Sequence, residues 1–144
     1  MKHKGATMEY SKERMDDLMR AYDEYVLSCA YIRMPEVYRV IVNMPSRRFW
    51  VSDIRAALVI SAMMRGEIDL NAMWPLKKEM YEEIYSRVIA LRKISPELSV
   101  SELCAKVIVQ PAPKFYLTPG SAKIMVCKAR KQWMREKKKR LRLL

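Results

Sequence analysis

An all-α fold of two tandem, divergent three-helix repeats with a basic C-terminal helix is predicted by three features of the sequence. Apolar residues recur at helical spacing, helix-capping residues stand at the ends of those stripes, and the two halves of the chain resemble each other. Phe49 to Ile60 aligns with Phe115 to Val126 at an offset of 66 residues, and Met15, Leu18, Met19, Tyr22 and Tyr25 align with Tyr81, Ile84, Tyr85, Val88 and Leu91 at the same offset. Arg39-Val-Ile-Val-Asn43 aligns with Lys106-Val-Ile-Val-Gln110 at 67, which implies a one-residue difference in the proline-containing loop that follows. The predicted organisation is a flexible N-terminus (1–10), repeat 1 (11–66), a linker (67–75), repeat 2 (76–134) and a basic extension (135–144).

The first helix is expected over about 9–30. Met15, Leu18, Met19, Tyr22, Tyr25, Val26 and Cys29 form its apolar stripe, with Asp16, Asp17, Arg20, Asp23 and Glu24 opposite. A short second helix opens near Pro35, which suits a first helical position, and ends before Pro45. Ser52 is a good N-cap for a third helix that stops at Gly66. In repeat 2, Pro75 opens a helix to about Lys93, and Ser99-Val-Ser-Glu102 is a capping box for a short helix ending before Pro111. Thr118-Pro119 starts the last helix, whose inner face is Ala122, Met125, Val126, Ala129 and Trp133. Val107-Ile108-Val109 favours a strand by β-branching, leaving an α+β variant with one hairpin open; helix is preferred because Leu103, Val107 and the Ser99 cap agree.

Scarcity narrows the function. With three glycines, far apart, no phosphate-cradling P-loop or dinucleotide loop can be built. The single histidine, His3, lies in the N-terminal segment, which removes His-based triads and most zinc sites. Cys29, Cys104 and Cys127 are dispersed, each in an apolar or helical context, and read as reduced, buried thiols of a cytoplasmic protein. No run is long and apolar enough for a transmembrane segment. The adjacent acids Asp16-Asp17 and Glu82-Glu83 point about 100° apart on a helix and read as solvated faces. No nucleophile has a recognisable base partner, so the expectation is a non-enzyme with no cofactor, no metal and no small-molecule substrate.

Charge then points to a partner. The net charge is +12, of which residues 121–144 carry +9: ten bases (Lys123, Lys128, Arg130, Lys131, Arg135, Lys137, Lys138, Lys139, Arg140, Arg142) against Glu136 alone. Residues 1–120 carry only +3. Arg47-Arg48-Phe49-Trp50-Val51-Ser52 and Lys114-Phe115-Tyr116-Leu117-Thr118 each place a base, two aromatics, an aliphatic residue and a hydroxyl N-cap ahead of a helix. A helix N-terminus flanked by a base and a hydroxyl suits a phosphate, while at least one aromatic of each pair is expected to plug the core.

This order of long helix, short helix, turn and readout helix resembles helix-turn-helix proteins, over 11–66 and 76–140 in tandem. It is also similar to small basic proteins of bacterial mobile elements and tailed phages. The resemblance implies that the third helix of each copy enters the DNA major groove by its first turns. The matching positions are Ser52, Asp53 and Arg55 in copy one, and Thr118, Ser121, Lys123 and Lys128 in copy two. The chain departs from that pattern in its longer connecting loop, and Asp53 would repel phosphate.

The expected function is nucleic-acid binding, foremost to double-stranded DNA and alternatively to RNA. In this reading Lys123, Lys128, Arg130, Lys131 and Arg135 contact phosphates or groove, Arg47, Arg48 and Lys114 contact flanking phosphates, and Lys137 to Arg142 form a sequence-blind clamp. The location would be the nucleoid, or the virion for a phage protein. The rival is a structural or interaction protein, a virion or packaged component whose tail contacts an acidic protein partner, with homo-oligomers admitted by either reading.

Overall fold

The computed structural model describes residues 4–143, with side chains from Tyr10 onward; His3 and Leu144 lie outside the described residues. The structure is all-α: α1 (Lys4–Ser28), α2 (Met34–Val42), α3 (Asp53–Met64), α4 (Pro75–Ile94), α5 (Val100–Ile108) and α6 (Pro119–Arg142), with a 3-10 turn at Leu70–Ala72 before α4. No strand occurs among the described residues. Val107 and Ile108 are helical and buried, so burial on two turns of α5 outweighs their strand preference. Of the segment expected as a flexible arm, residues 4–10 belong to α1.

The duplication is closer than the sequence comparison suggests. The ends of α1 and α4, the whole of α2 and α5, and the starts of α3 and α6 all correspond at 66 residues. The expected offset of 67 for the Val-Ile-Val strings is corrected: the buried set Val37, Tyr38, Ile41 and Val42 maps at 66 onto Leu103, Cys104, Val107 and Ile108. Matching identical letters shifted the string by one, whereas the buried positions preserve the register and leave no gap in the loop.

The caps form as their chemistry demands. The Ser52, Ser99 and Thr118 hydroxyls accept from the N–H groups of Arg55, Glu102 and Ser121, at 3.1, 3.2 and 3.1 Å. Gly66 (φ +67°) ends α3: its N–H reaches the Met63 carbonyl and that of Glu67 reaches Ala62, closing the last turn. The position corresponding to Gly66 is Gln132, and there α6 runs on for ten more residues to Arg142.

The two copies exchange their third helices. One core joins Ala56, Val59 and Ile60 of α3 to Tyr81, Ile84 and Val88 of α4 and Leu103, Cys104, Val107 and Ile108 of α5. The other joins Leu18 and Ala21 of α1 to Val37, Tyr38, Ile41 and Val42 of α2 and Ala122 and Val126 of α6. Helix α3 packs against neither α1 nor α2, and α6 against neither α4 nor α5. The α2–α3 segment is therefore not a helix-turn-helix pair packed on itself.

A pseudo-two-fold axis passes through the crossing. Ser46 and Ala112, which correspond at 66, exchange both backbone hydrogen bonds (3.1 and 3.0 Å) in an isolated antiparallel bridge. The Phe49 N–H donates to the Ile108 carbonyl (2.9 Å) and the Phe115 N–H to the Val42 carbonyl (3.0 Å), so each loop satisfies the C-terminal end of the other copy's short helix. Phe49 and Phe115 are buried, as expected of one aromatic in each pair, but each plugs the core that holds the other copy's first two helices.

Candidate nucleic-acid interface

Helix α6 is two helices in physical terms. Its first three turns bury Ala122 and Val126 against α1 and α2. Of the three cysteines expected to be buried, Cys104 is, Cys29 is half-buried just past α1, and Cys127 is exposed because it points away from the packed face. Beyond it Ala129 is partly covered, and every described residue from Arg130 to Leu143 is exposed. An isolated helix of this length is marginal in water, so the packed turns supply the nucleus from which the outer half propagates. All ten bases of the segment are exposed. Lys128, Lys131, Arg135, Lys138 and Arg142 share one side by helical spacing, and an open groove along the helix is lined by Cys127, Arg130, Lys131, Met134, Arg135 and Lys138. Lys137 lies over the Trp133 ring, 5.0 Å from its centroid. At the inner end, the Tyr38 hydroxyl faces Cys127 and Arg130; burial first, and Cys127 second, raise its pKa.

The predicted residues of the loops meet different fates. Arg47 is exposed; its N–H donates to Asp17 Oδ2 (2.8 Å) and its Nε lies 3.8 Å from Asp17 Oδ1. Arg48 donates to the carbonyls of Phe49 (3.1 Å) and Val51 (3.2 Å) and lies over the rings of Tyr10 (4.8 Å) and Trp50 (5.3 Å). Lys114 is paired with Glu79, which neutralises it, and lies 5.7 Å from the Tyr116 ring centroid. Arg55, exposed on α3, partners the Tyr81 hydroxyl; burial raises the Tyr81 pKa and Arg55 draws it back. Thr118 and Ser121 are exposed, their hydroxyls 3.0 Å apart, and Thr118 is committed to the cap.

Sequence reasoning read Asp17 as solvated, and the structure corrects this: it is fully buried. It accepts from Arg20 Nε (3.0 Å) and Nη2 (2.8 Å), from the Arg47 N–H and from Trp50 Nε1 (3.0 Å). It is thereby the anchor of the first crossing loop. Copy two uses a looser version. Arg87 Nε meets Glu83 at 2.9 Å, and its Nη1 reaches the Pro111 carbonyl at 2.8 Å, as Arg20 reaches that of Pro45 at 3.1 Å.

No helix among the described residues is long and apolar enough to cross a membrane, and no group of three or more His, Cys, Asp or Glu side chains among them could hold a metal ion. Comparison of the chain with protein families, with curated proteins and with solved structures finds no match.

Proposed function

We propose that the protein binds nucleic acid, foremost double-stranded DNA, through α6 and its projecting basic end. The observation that carries this reading is the ten-base exposed helix whose outer half covers nothing else among the described residues. Lys131–Arg135, Arg135–Lys139 and Lys138–Arg142 are like-charged i,i+4 pairs, each mildly destabilising, and a polyanion relieves that repulsion while releasing its own counterions. The bases of α6 lie on a rigid helix anchored at Ala122 and Val126, so phosphate contacts by Lys123, Lys128 and Lys131 would be positioned by the fold, and Lys137 to Arg142 would add a sequence-blind clamp.

The test is filter binding of the full chain to duplex DNA between 50 and 200 mM salt, with matched RNA and anionic vesicles as competitors. About six phosphate contacts should weaken duplex affinity roughly a thousandfold over that range. An affinity that hardly changes with salt sinks the proposal, and preference for RNA moves the reading to RNA binding. The rival, an interaction protein, finds its support on α3, where Ile54 and Leu58 are more than half exposed one turn apart.

A further inference from the structure

The duplication supplies an internal control: a side chain that one copy uses and the other replaces is not demanded by the shared fold. On the α1 face beneath the first crossing loop, copy one carries Arg14, Arg47 and Arg48, and copy two has Met80, Pro113 and Lys114 at the corresponding positions. Met80 packs on the apolar core and Lys114 is neutralised by Glu79, so the copy-two version of this surface is electrically closed. The copy-one version sets three guanidiniums against the one carboxylate of Asp17, which also pairs with Arg20.

Arg14 lies one turn from Tyr10 and one turn from Asp17 on α1, between the ring that Arg48 covers and the carboxylate that Arg47 and Trp50 contact. It is partly buried, its Nε is enclosed with no hydrogen-bond partner, and it has no ion pair among the described residues. Among the described residues Arg48 bonds only carbonyls and rings. Asp17 offers these two guanidiniums little, because its lone pairs are already taken by Arg20, Arg47 and Trp50. A desolvated guanidinium without a counter-charge is costly, and an entering anion offsets that cost by several charge-assisted bonds at once.

We propose that Arg14, Arg47 and Arg48, with Tyr10 and Trp50 as walls, form a phosphate-type oxyanion site specific to the first copy. Guanidinium forks match the tetrahedral oxyanion, and Trp50 holds the loop in place through Asp17. The phosphate has two sources, a free phosphate and the backbone of a nucleic acid. Only the second rests on the function proposed above, where it would give the duplex a second point of attachment away from α6.

The experiment uses the full chain with Trp74→Phe and Trp133→Phe, which leave Trp50 as the single reporter. Inorganic phosphate titrated against chloride at constant ionic strength should change Trp50 emission saturably. Arg14→Met, which installs the residue that copy two tolerates, should raise the apparent Kd for phosphate by about tenfold or more, the loss expected for one charged hydrogen bond. Circular dichroism of Arg14→Met should match the parent, and Lys93→Ala, an exposed base on α4, should leave the phosphate Kd unchanged. An absent or non-saturable response, or an equal Kd in Arg14→Met, overturns the site.

A salt series on duplex DNA identifies the source. If the site takes backbone phosphate, Arg14→Met with Arg47→Ala lowers the slope of log K against log salt by about one to two. If the slope stays but the phosphate response is lost in the same variant, the site stands as a free-phosphate site. Failure of the parent protein to bind duplex would remove the nucleic-acid reading and leave the phosphate arm to decide the site alone.

Discussion

Helices α3 and α6 begin at corresponding residues and pack against corresponding partners, yet they present opposite surfaces. Where α3 has the partly buried Ala57, Ala62 and Met64, on the flanks of its packed face, α6 has the exposed Lys123, Lys128 and Arg130. Where α3 stops at a left-handed glycine, α6 continues for ten more residues without a core to cover. The inner positions have hardly changed: Ala56 and Ile60 face one core as Ala122 and Val126 face the other. Packing constrains the inner face in both copies to small and branched apolar residues, while the outer face is free to diverge. The outward difference is therefore the place to look for function.

The largest expected effect breaks that comparison at its basic end. Truncation to residues 1–133 removes six bases but none of the described buried residues. The salt slope of duplex binding should fall by about three, the share of about six contacts that six of the ten bases supply, and affinity near 50 mM salt by about a thousandfold, with the helical fold retained by circular dichroism. Arg55→Ala with Arg65→Ala on α3 should change the slope by less than about two. Equal effects from the two changes would show that the copies share the binding role.

Next in size is the contrast between the two loop anchors. Asp17→Ala leaves the Trp50 and Arg47 N–H groups without their acceptor, while Arg20 keeps Glu24 and the Pro45 carbonyl, and should cost about 2–4 kcal/mol in urea unfolding. Glu83→Ala breaks an Arg87 pair that is more than one-quarter exposed on both sides, and should cost about 1 kcal/mol or less. Similar values for the two would mean that the crossing loops are held by the Ser46–Ala112 bridge and the phenylalanine plugs instead.

These two anchors also show what was legible in the sequence. Caps and proline positions located the starts of α2 to α6 to within a residue or two, because Ser52, Ser99, Thr118, Pro35, Pro75 and Pro119 act locally, whereas α1, which has no such signal, starts at Lys4 and not near residue 9. The exchange of α3 and α6 was not legible: an amphipathic stripe specifies that a face is buried, and the same stripe serves whether the covering helices come from its own copy or the other. Asp17 was misread for the same reason, since its partners Arg47 and Trp50 lie 30 and 33 residues away. The basic face of α6 was legible, being a matter of composition and spacing on one exposed helix. Arg14 was overlooked although a signal existed, a base on the apolar side of α1 where the second copy has Met80.

Helix termination gives a smaller effect. Gly66→Ala introduces no clash, since nothing lies within 4 Å of the added carbon, but forces φ +67° on a residue that resists it, at a cost of about 1 kcal/mol. Gln132→Ala, at the corresponding point of α6, should change stability by no more than about 0.5 kcal/mol. Thermal unfolding of the two variants separates a glycine that ends one helix from a surface residue that lets the other continue.

The smallest expected effect is alkaline. Tyr116 occupies the place that Trp50 holds in copy one, and its pKa is pushed up to about 12, first by burial and then by Glu83 and Glu79. Cys104, in the place of Tyr38, is pushed up to about 11 by burial. Both groups keep their protons longer in the folded protein than in the unfolded chain. Their contribution is thus whole below the unfolded values near pH 9–10 and is lost as pH rises toward 11 and 12. Tyr116→Phe should flatten the fall of unfolding free energy between pH 10 and 12 relative to the parent. Trp50→Phe, which removes no titrating group, should lower stability by a similar amount at pH 7 and pH 11. An equal alkaline slope in the parent and Tyr116→Phe would place the loss on Cys104 and the other tyrosines, and would show that the aromatic exchange between the copies carries no proton linkage.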